Sequence, residues 1–289
     1  MSLRHLFRSS PTHEAIDEAP TQVGEDAFSE VAPYYDDLMA SVPYRRWVDY
    51  VERLLHRFDA RPRDVLDLCC GTGAVGREML RRDYRVLGID LSERMVRCCA
   101  ARSPRLPAAV MDARRLGLKQ ASFDLVVSLY DSLNYIIEPD GLASCFRGVA
   151  RALRPGGLLI FDLNTARALR LGLFTQDNIR SAEPLLYRWQ SHWDEERKLC
   201  RVDMWFSWRG EGQKAEFSET HYERAYEDEQ VQEMLRAAGL STLAVYDAYS
   251  FRAPSRFGTR LHYVARSDLA RPAHKALQGP GEGSCRAGS

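Results

Sequence analysis

The 289-residue sequence has no run of apolar residues as long as a membrane-spanning helix, which needs about 20. It also has no surplus of either charge, because 40 basic side chains balance 40 acidic ones. A nucleic-acid-binding domain usually carries an excess of Lys and Arg, so neither a membrane nor a nucleic acid is indicated as a partner. With 45% hydrophobic residues, the chain can bury one sizeable core with an elaboration.

No two cysteines have the C-x-x-C spacing of zinc and redox motifs. The seven cysteines are odd in number and include two adjacent pairs, Cys69–Cys70 and Cys98–Cys99. This pattern indicates neither a disulfide framework nor a metal site, and it favours a reducing cytoplasm as the location. Cys69 and Cys70 belong to a glycine-rich turn, where packing of small residues is favoured over a reactive thiol.

The most informative stretch is DVLDLCCGTGAVG at residues 64–76. Its apolar residues lead directly into three glycines and then into a helical pattern, which predicts a buried parallel strand, a tight turn and a helix N-terminus. Gly71 and Gly73 permit positive φ angles and close approach of a ligand to the backbone. The first amides of the helix would face that ligand, which favours an anionic or carboxylate-bearing group.

The spacing Gly71-x-Gly73-x-x-Gly76 also matches the dinucleotide fingerprint, so an NAD- or FAD-dependent oxidoreductase is one interpretation. Two acidic residues favour a different ligand. Asp67, in the end of the predicted strand, would repel a pyrophosphate but could accept hydrogen bonds from a cationic amine. Asp90 ends the next predicted strand, where it could bind the two hydroxyl groups of a ribose.

These residues resemble the motifs of class I S-adenosylmethionine-dependent methyltransferases. DLCCGTG at 67–73 is similar to the first motif of the family, and GIDLSERM at 88–95 is similar to the second. Three further matches follow in the family's order: MDA at 111–113, SFDLVV at 122–127 and LRPGGLLI at 153–160. The resemblance extends over residues 28–267 and implies a Rossmann-like methyltransferase fold with S-adenosylmethionine as cofactor.

The resemblance also implies roles around the cofactor. Asp67 would orient the methionyl amine, and the backbone from Gly71 to Gly73 would take the carboxylate. Asp90 would bind the ribose, and Asp112 would accept a hydrogen bond from the adenine amine. The cofactor-binding candidates are Tyr35, Asp67, Cys69, Gly71, Gly73, Asp90, Leu91, Met95, Met111, Asp112, Ala113, Leu129, Tyr130 and Asn134.

Predicted strands alternate with predicted helices between residues 64 and 162, which indicates an α/β fold with a doubly wound parallel sheet. Pro155-Gly156-Gly157 is interpreted as a stop before a strand at 157–162. By resemblance, antiparallel strands at 241–247 and 259–266 complete a seven-stranded sheet. Before the first strand, apolar periods predict a helix from Phe28 to Met39 and a second helix at 44–55.

Residues 184–226 have a period of two and are rich in aromatic residues, which predicts three antiparallel strands turning at Gly210–Gly212. The similar insert of small-molecule methyltransferases covers the mouth of the active site. We therefore expect an antiparallel β-sheet lid that forms a substrate roof. A structural sheet, or one that forms a homodimer, is the alternative interpretation.

The loop at 128–135 follows the fourth strand of the sheet, where cofactor and substrate would meet. It resembles the corresponding loop of amino-sugar N-methyltransferases, except that Tyr135 replaces their histidine. Asp131 and Asn134 could bind ligand or could cap backbone groups. His221 in the insert is the candidate base, and Tyr135 is the second catalytic candidate.

The predicted function is transfer of a methyl group to a small-molecule acceptor by in-line displacement. Such a reaction needs alignment and exclusion of water, and a base only where the nucleophile arrives protonated. A tRNA or protein acceptor, an oxidoreductase and a catalytically silent cofactor-binding protein are the alternatives.

The predicted divisions of the chain are a disordered leader (1–26), a methyltransferase domain (27–267) and a disordered tail (268–289). Within the domain they are lid helices (27–60), a cofactor-binding core (61–172), the antiparallel insert (184–226) and the final helix and strands (227–267).

Overall fold

The computed structural model describes residues 27–210 and 213–268, so the predicted leader and all of the predicted tail except Asp268 lie outside the described residues. Its strands are β1 (Asp64–Leu68), β2 (Arg85–Asp90), β3 (Ala108–Val110), β4 (Phe123–Ser128), β5 (Leu153–Asn164), β6 (Gln176–Asp177), β7 (Leu185–Asp194), β8 (Leu199–Gly210), β9 (Gln213–Arg224), β10 (Leu240–Asp247) and β11 (Arg260–Ser267). Its α-helices are α1 (Tyr35–Leu38), α2 (Tyr44–Arg57), α3 (Ala74–Leu80), α4 (Glu93–Arg102), α5 (Pro139–Ala152), α6 (Ala166–Arg170) and α7 (Asp228–Ala237). None of the helices in this part of the chain has the length and apolar character needed to cross a bilayer.

Seven strands form one sheet in the spatial order β10-β11-β5-β4-β1-β2-β3. β1 pairs in parallel with β2 and β4, β2 with β3, and β4 with β5. β11 is antiparallel to both β5 and β10. The predicted α/β fold, a Rossmann-like doubly wound sheet of seven strands, is therefore confirmed.

Each face of this sheet buries its own apolar core. On one face, α5 and α7 contribute Phe146 and Leu235, which pack in one cluster with Tyr263 of β11. On the other face, α2 and α3 contribute Val51 and Met79. Coverage on both faces explains why β1 and β4 are almost continuous apolar runs in the sequence.

The insert is a separate antiparallel sheet in the order β6-β7-β8-β9. The structure thus adds one strand to the three that were predicted, because the two residues of β6 pair with Arg188 and Trp189 of β7. β8 and β9 pair up to Gly210 and Gln213, next to the predicted turn. The insert and the N-terminal segment, residues 27–44, share a third apolar cluster that includes Val31 and Phe206.

The N-terminal segment differs from the predicted continuous helix between Phe28 and Met39. It contains a 3-10 turn at Ala32–Tyr34, followed by the single turn of α1. Pro33 has no amide hydrogen and restricts the residue before it, so a regular α-helix cannot run through this position. The second predicted helix is present as α2 and is slightly longer than expected.

β5 also differs from the prediction, because it begins at Leu153 and includes the Pro155-Gly156-Gly157 stretch. The pairing register between β4 and β5 shifts after Phe123. Gly156 has a φ of +79°, a conformation that a residue with a Cβ rarely adopts. These residues therefore form an irregular start of the strand and not a stop before it.

The loop after β4 is connected to two other elements by Asn134, which is fully buried. Its amide nitrogen donates to the carbonyl oxygens of Asn164 and Arg224, at 3.2 and 2.8 Å. Its amide oxygen accepts from the backbone N–H of Asn164 at 2.9 Å. Asn134 thus satisfies backbone groups at the ends of β5 and β9 that would otherwise be buried without partners.

We expect Asn134→Ala to lower the free energy of unfolding by about 3 kcal/mol, because buried backbone groups lose their hydrogen bonds. Urea denaturation followed by circular dichroism measures this change. Gln190→Ala, which removes an exposed amide from β7, is the matched control and should change stability little. Equal stability of the two variants would show that Asn134 does not hold the loop.

Candidate functional site

The parallel strands β1, β2 and β4 end at the same edge of the central sheet, and a cavity lies at this edge. Ligands of open α/β sheets bind outside the carboxyl ends of the strands. Residues of the N-terminal segment, among them Phe28 and Tyr35, form a second wall. Trp189, Met204 and Phe206 of the insert form a third.

Most of the residues predicted from the sequence meet in the wall of this cavity. They are Tyr35, Asp67, Cys69, Gly71, Asp90, Leu91, Met95, Asp112, Ala113, Leu129, Tyr130 and Tyr135. Four others lie outside the wall. Gly73 is the N-cap of α3, Met111 packs against the sheet core, and Asn134 bonds only to backbone groups in the described chain. His221 is buried behind Tyr135.

The glycine turn uses its own amides internally. The N–H of Gly71 donates to Asp90 Oδ2 at 2.8 Å, and the N–H of Gly73 donates to the carbonyl of Cys70 at 2.8 Å. The expectation that the backbone from Gly71 to Gly73 takes a ligand carboxylate stays a prediction, and the amides of Gly71 and Gly73 already have partners. Gly73 is required for another reason: its φ is +81°, and a Cβ there would lie 2.5 Å from Cys99 Sγ.

Asp67 is the least satisfied acidic residue of the site. It is 2% exposed, and its Oδ2 atom has no hydrogen-bond partner within the described residues. Burial, together with the nearby Asp90, raises the pKa of Asp67 to about 7, although the amide of Gly76 acts in the opposite direction. A cation that bound beside Asp67 would replace its lost hydration.

Asp90, by contrast, is held on both oxygens. Oδ1 accepts from the N–H of Ser92 at 2.9 Å and Oδ2 from the N–H of Gly71 at 2.8 Å. Burial raises the pKa of Asp90 above its ordinary value, against the effect of these amides. The two bonds fix the plane of the carboxylate at the end of β2.

Asp112 is paired with Arg114. Its oxygens accept from the backbone N–H, Nε and Nη2 of Arg114 at 2.8 to 3.0 Å. Partial burial acts to raise the pKa of Asp112, but the bonds from Arg114 outweigh this effect and hold the pKa below its ordinary value. The carboxylate is therefore charged and oriented, and it caps the 3-10 turn Ala113–Arg115.

Four residues of the cavity wall have positive φ angles without being glycine: Phe28 at 63°, Cys69 at 61°, Tyr130 at 71° and Asp131 at 53°. Each such conformation costs on the order of 1–3 kcal/mol, and such residues cluster at functional sites. The sequence reasoning did not predict this strain. Asn and Asp tolerate the left-handed region, so Asp131 carried a signal for it, whereas Phe28, Cys69 and Tyr130 carried none.

A buried charge network supports the strained loop. Arg260 pairs with Asp131 and Asp162, each at 2.8 Å, and its guanidinium lies over the ring of Tyr130. Burial and the proximity of Asp131 raise the pKa of Glu223 well above its ordinary value, which favours its neutral form. No group of three or more His, Cys, Asp or Glu in the described part of the chain is arranged to hold a metal ion.

Arg260 was missed by the sequence reasoning, although a signal was present. β11 is antiparallel to β5, so its first residue lies beside the last residue of β5, Asn164. The first residue of an antiparallel closing strand therefore reaches the ligand edge of the sheet. Trp189, Met204 and Phe206 were found only as members of a roof, because a period of two does not tell which face meets the cavity.

Tyr135 and His221, the two catalytic candidates, are in contact. The hydroxyl of Tyr135 lies 3.2 Å from Nδ1 of His221, and Nε2 of His221 lies 2.7 Å from Oε2 of Glu219. Burial raises the pKa of Tyr135 well above its ordinary value, so its hydroxyl keeps its proton. These contacts form a chain that runs from Tyr135 in the cavity wall through the imidazole of His221 to the carboxylate of Glu219.

We expect Arg260→Met to lower the free energy of unfolding by about 4 kcal/mol near pH 7.5, because two buried carboxylates lose their cation. The loss of Arg260 raises the pKa of Asp131, so the deficit should shrink as the pH falls to 5 and the carboxyl takes up a proton. Denaturation curves at both pH values measure the change. Arg252→Met, at an exposed position, is the control, and a deficit independent of pH would contradict the network.

Comparison with known proteins gives the family. Residues 65–157 match a family described as "Methyltransferase domain". A Bacillus subtilis protein, YqeM, whose name describes it as a methyltransferase, is 31% identical over 239 residues, covering 81% of this chain and 95% of YqeM. A 148-residue match at 29% identity, covering 47% of this chain and 59% of the relative, is to a dTDP-4-amino-2,3,4,6-tetradeoxy-D-glucose N,N-dimethyltransferase of Saccharopolyspora spinosa.

Solved structures agree. A S-adenosylmethionine-dependent methyltransferase of Clostridium acetobutylicum is similar with a TM-score of 0.73 and 28% identity, covering 83% of this chain and 99% of that one. The sugar N-methyltransferase KedS8 of Streptoalloteichus shares the fold, with a TM-score of 0.69 at 19% identity over 91% of this chain and all of that one. These likenesses confirm the resemblance, the enzyme class and the cofactor that the motifs indicated. The chain belongs to the class I S-adenosylmethionine-dependent methyltransferases.

Proposed function

We propose that this methyltransferase acts on a small molecule held between the edge of the central sheet and the insert, by in-line displacement. The observation that carries the proposal is the roof over the cavity, where Phe28 of the N-terminal segment and Trp189 and Phe206 of the insert join the wall. A small acceptor fits wholly beneath such a roof. To reach the cavity, a tRNA would have to insert a single base, and a folded protein a single side chain.

The residues at the sheet edge suit the cofactor. The unpartnered oxygen of Asp67 suits the ammonium group of the methionine part. Asp90 keeps lone pairs on both oxygens beside its two amide bonds, and these can accept from the ribose hydroxyls. Asp112 follows β3, where its charged carboxylate can accept from the adenine amine.

S-adenosylmethionine supplies a methyl group on a sulfonium, which the lone pair of the acceptor takes while the carbon–sulfur electrons return to sulfur. The chain has to hold the acceptor in line with that bond and to exclude water. The aromatic walls formed by Tyr35, Tyr130 and Trp189 serve both purposes. Trp189 also has a buried indole N–H without a partner among the described residues, which favours an acceptor with a hydrogen-bond-accepting group.

We infer that Tyr135 and His221 remove the proton of an acceptor that arrives as an ammonium or a phenol. Tyr135 lines the cavity and bonds to His221 at 3.2 Å. The acceptor proton would pass to the Tyr135 oxygen as the Tyr135 proton passes to Nδ1 of His221. Because Glu219 accepts from the other nitrogen, the resulting imidazolium is stabilised.

A second copy of this chain is the partner proposed for the insert. β9 is the outer strand of the antiparallel sheet, and no other strand of the described residues pairs with its far edge. An unpaired edge offers a row of backbone donors and acceptors to another strand.

The state of Asp67 gives a prediction about pH. With a pKa of about 7, Asp67 holds a proton at lower pH and must release it to bind an ammonium group. The affinity for S-adenosylhomocysteine should therefore fall by up to about tenfold per pH unit below 7. Calorimetry in buffers of different ionisation enthalpy should show up to one proton released per ligand at pH 6 and almost none at pH 8.

Asp67→Asn should abolish this proton release and weaken binding, because the amide cannot replace the charge. Asp59→Asn, which changes an exposed carboxylate, is the matched control and should retain both the proton release and the affinity. Proton release of unchanged size in Asp67→Asn would show that another group titrates.

Parallel titration with S-adenosylmethionine, S-adenosylhomocysteine and NAD tests the cofactor site. Both adenosyl ligands should bind and NAD should not. Asp90→Ala should weaken their binding by about 2 kcal/mol through loss of a charge-assisted contact, whereas Asp59→Ala should not. Unchanged affinity in Asp90→Ala would show that the cofactor lies elsewhere.

The acceptor class is tested by methyl transfer from isotopically labelled S-adenosylmethionine. Separate reactions would contain small amines and phenols, bulk tRNA, and a cell protein extract. Label in the small-molecule fraction supports the proposal. Label in the tRNA or protein fraction alone overturns it.

A further inference from the structure

The carboxylate of Glu219, on β9, holds two parts of the molecule at once. Oε1 accepts from the backbone N–H groups of Glu30 and Val31, at 2.8 and 3.0 Å. Oε2 accepts from the N–H of Phe28 at 3.2 Å and from Nε2 of His221 at 2.7 Å. The Glu219 side chain is only 7% exposed, so its carboxylate depends on these bonds more than on water.

The three amides precede the 3-10 turn Ala32–Tyr34 and have no helical partners within the described residues. Glu219 satisfies them and so fixes the path of the N-terminal segment over the cavity. The ring of Phe28 lies against the rings of His221 and Tyr135, with centroids 4.3 and 5.2 Å apart. The same segment thus covers the pair that we propose to be the base.

The bond from His221 to Glu219 also determines the tautomer of His221. A carboxylate can only accept, so in the neutral ring the proton lies on Nε2 and Nδ1 carries the lone pair. Nδ1 can then accept from the hydroxyl of Tyr135. The opposite tautomer would place two donors against one another unless the hydroxyl turned away, and proton transfer through Tyr135 would stop.

We propose that Glu219 is a positioning residue that couples the seating of residues 28–31 over the cavity to the tautomer of His221. The base is therefore assembled only when the N-terminal segment is in place. This inference depends on the proposed roles of His221 and Tyr135. By linkage, anything that loosens the segment shifts the tautomer, and a change at His221 loosens the segment.

Nitrogen-15 NMR of the full chain labelled at histidine distinguishes the tautomers, and His221→Gln assigns the signal. At a pH where the ring is neutral, the wild type should show the proton of His221 on Nε2. In Glu219→Gln, the amide oxygen can still accept from Glu30 and Val31, which turns its NH₂ group toward His221 and forces the proton to Nδ1. Hydrogen exchange of the Phe28 amide should become about tenfold faster, because its acceptor is lost. Glu216→Gln, an exposed change on the same strand, should leave both readouts unchanged.

A distant variant tests the coupling itself. Asp36 in α1 accepts from Thr72 and pairs with Arg77 and Arg102, so it anchors the segment to the glycine turn without contacting His221. Asp36→Asn should loosen the segment and give a mixture of His221 tautomers. The neighbouring exposed Asp37→Asn is the matched control and should give neither change.

An unaltered His221 tautomer in Glu219→Gln, or in an Asp36→Asn chain whose residues 28–31 exchange faster, overturns the coupling. Titration of S-adenosylhomocysteine into the same samples separates this result from a failure of the proposed function. Normal binding with an unaltered tautomer refutes only the coupling. Absence of binding to the wild type refutes the cofactor site, whatever the His221 spectrum shows.

Discussion

Parallel pairing of β1 with β2 and β4 is the constraint on which the site depends. Parallel strands must all point the same way, so their carboxyl ends gather Asp67, Asp90 and Asp131 at one edge of the sheet. Strand ends leave backbone groups unpaired, and the turn after β1 satisfies its own amides with Asp90 and Cys70. The cavity is thus bounded by groups whose positions follow from backbone hydrogen bonding.

The acidic residues at this edge are neutralised in different ways. Backbone amides hold Asp90, and arginines pair with Asp112 and Asp131. Asp67 has the amide of Gly76 but no arginine, its Oδ2 has no hydrogen-bond partner within the described residues, and burial raises its pKa. A ligand cation beside Asp67 would complete the set, as we propose for the ammonium group of the cofactor.

The roof depends on contacts between parts of the chain that are far apart in sequence. Glu219 bonds to the N-terminal segment almost two hundred residues away, and Phe28 and Tyr35 pack edge to face beneath the insert. The apolar cluster that unites Val31, Met39 and Phe206 strengthens the same junction. The roof that we propose for the acceptor therefore depends on one interface, between the N-terminal segment and the insert.

The sequence by itself determined the sheet, the glycine turn and the cofactor. Periodicity, glycines and strand-end acids are local signals, and Asp67, Gly71 and Asp90 occur at spacings that parallel strands require. Only the tertiary structure decided that the amides of Gly71 and Gly73 are already occupied, that Asn134 serves the backbone and that Arg260 reaches the cavity. These outcomes depend on which distant groups lie close enough to bond to each donor and acceptor. Tertiary packing brings those groups together, so no local sequence pattern indicates them.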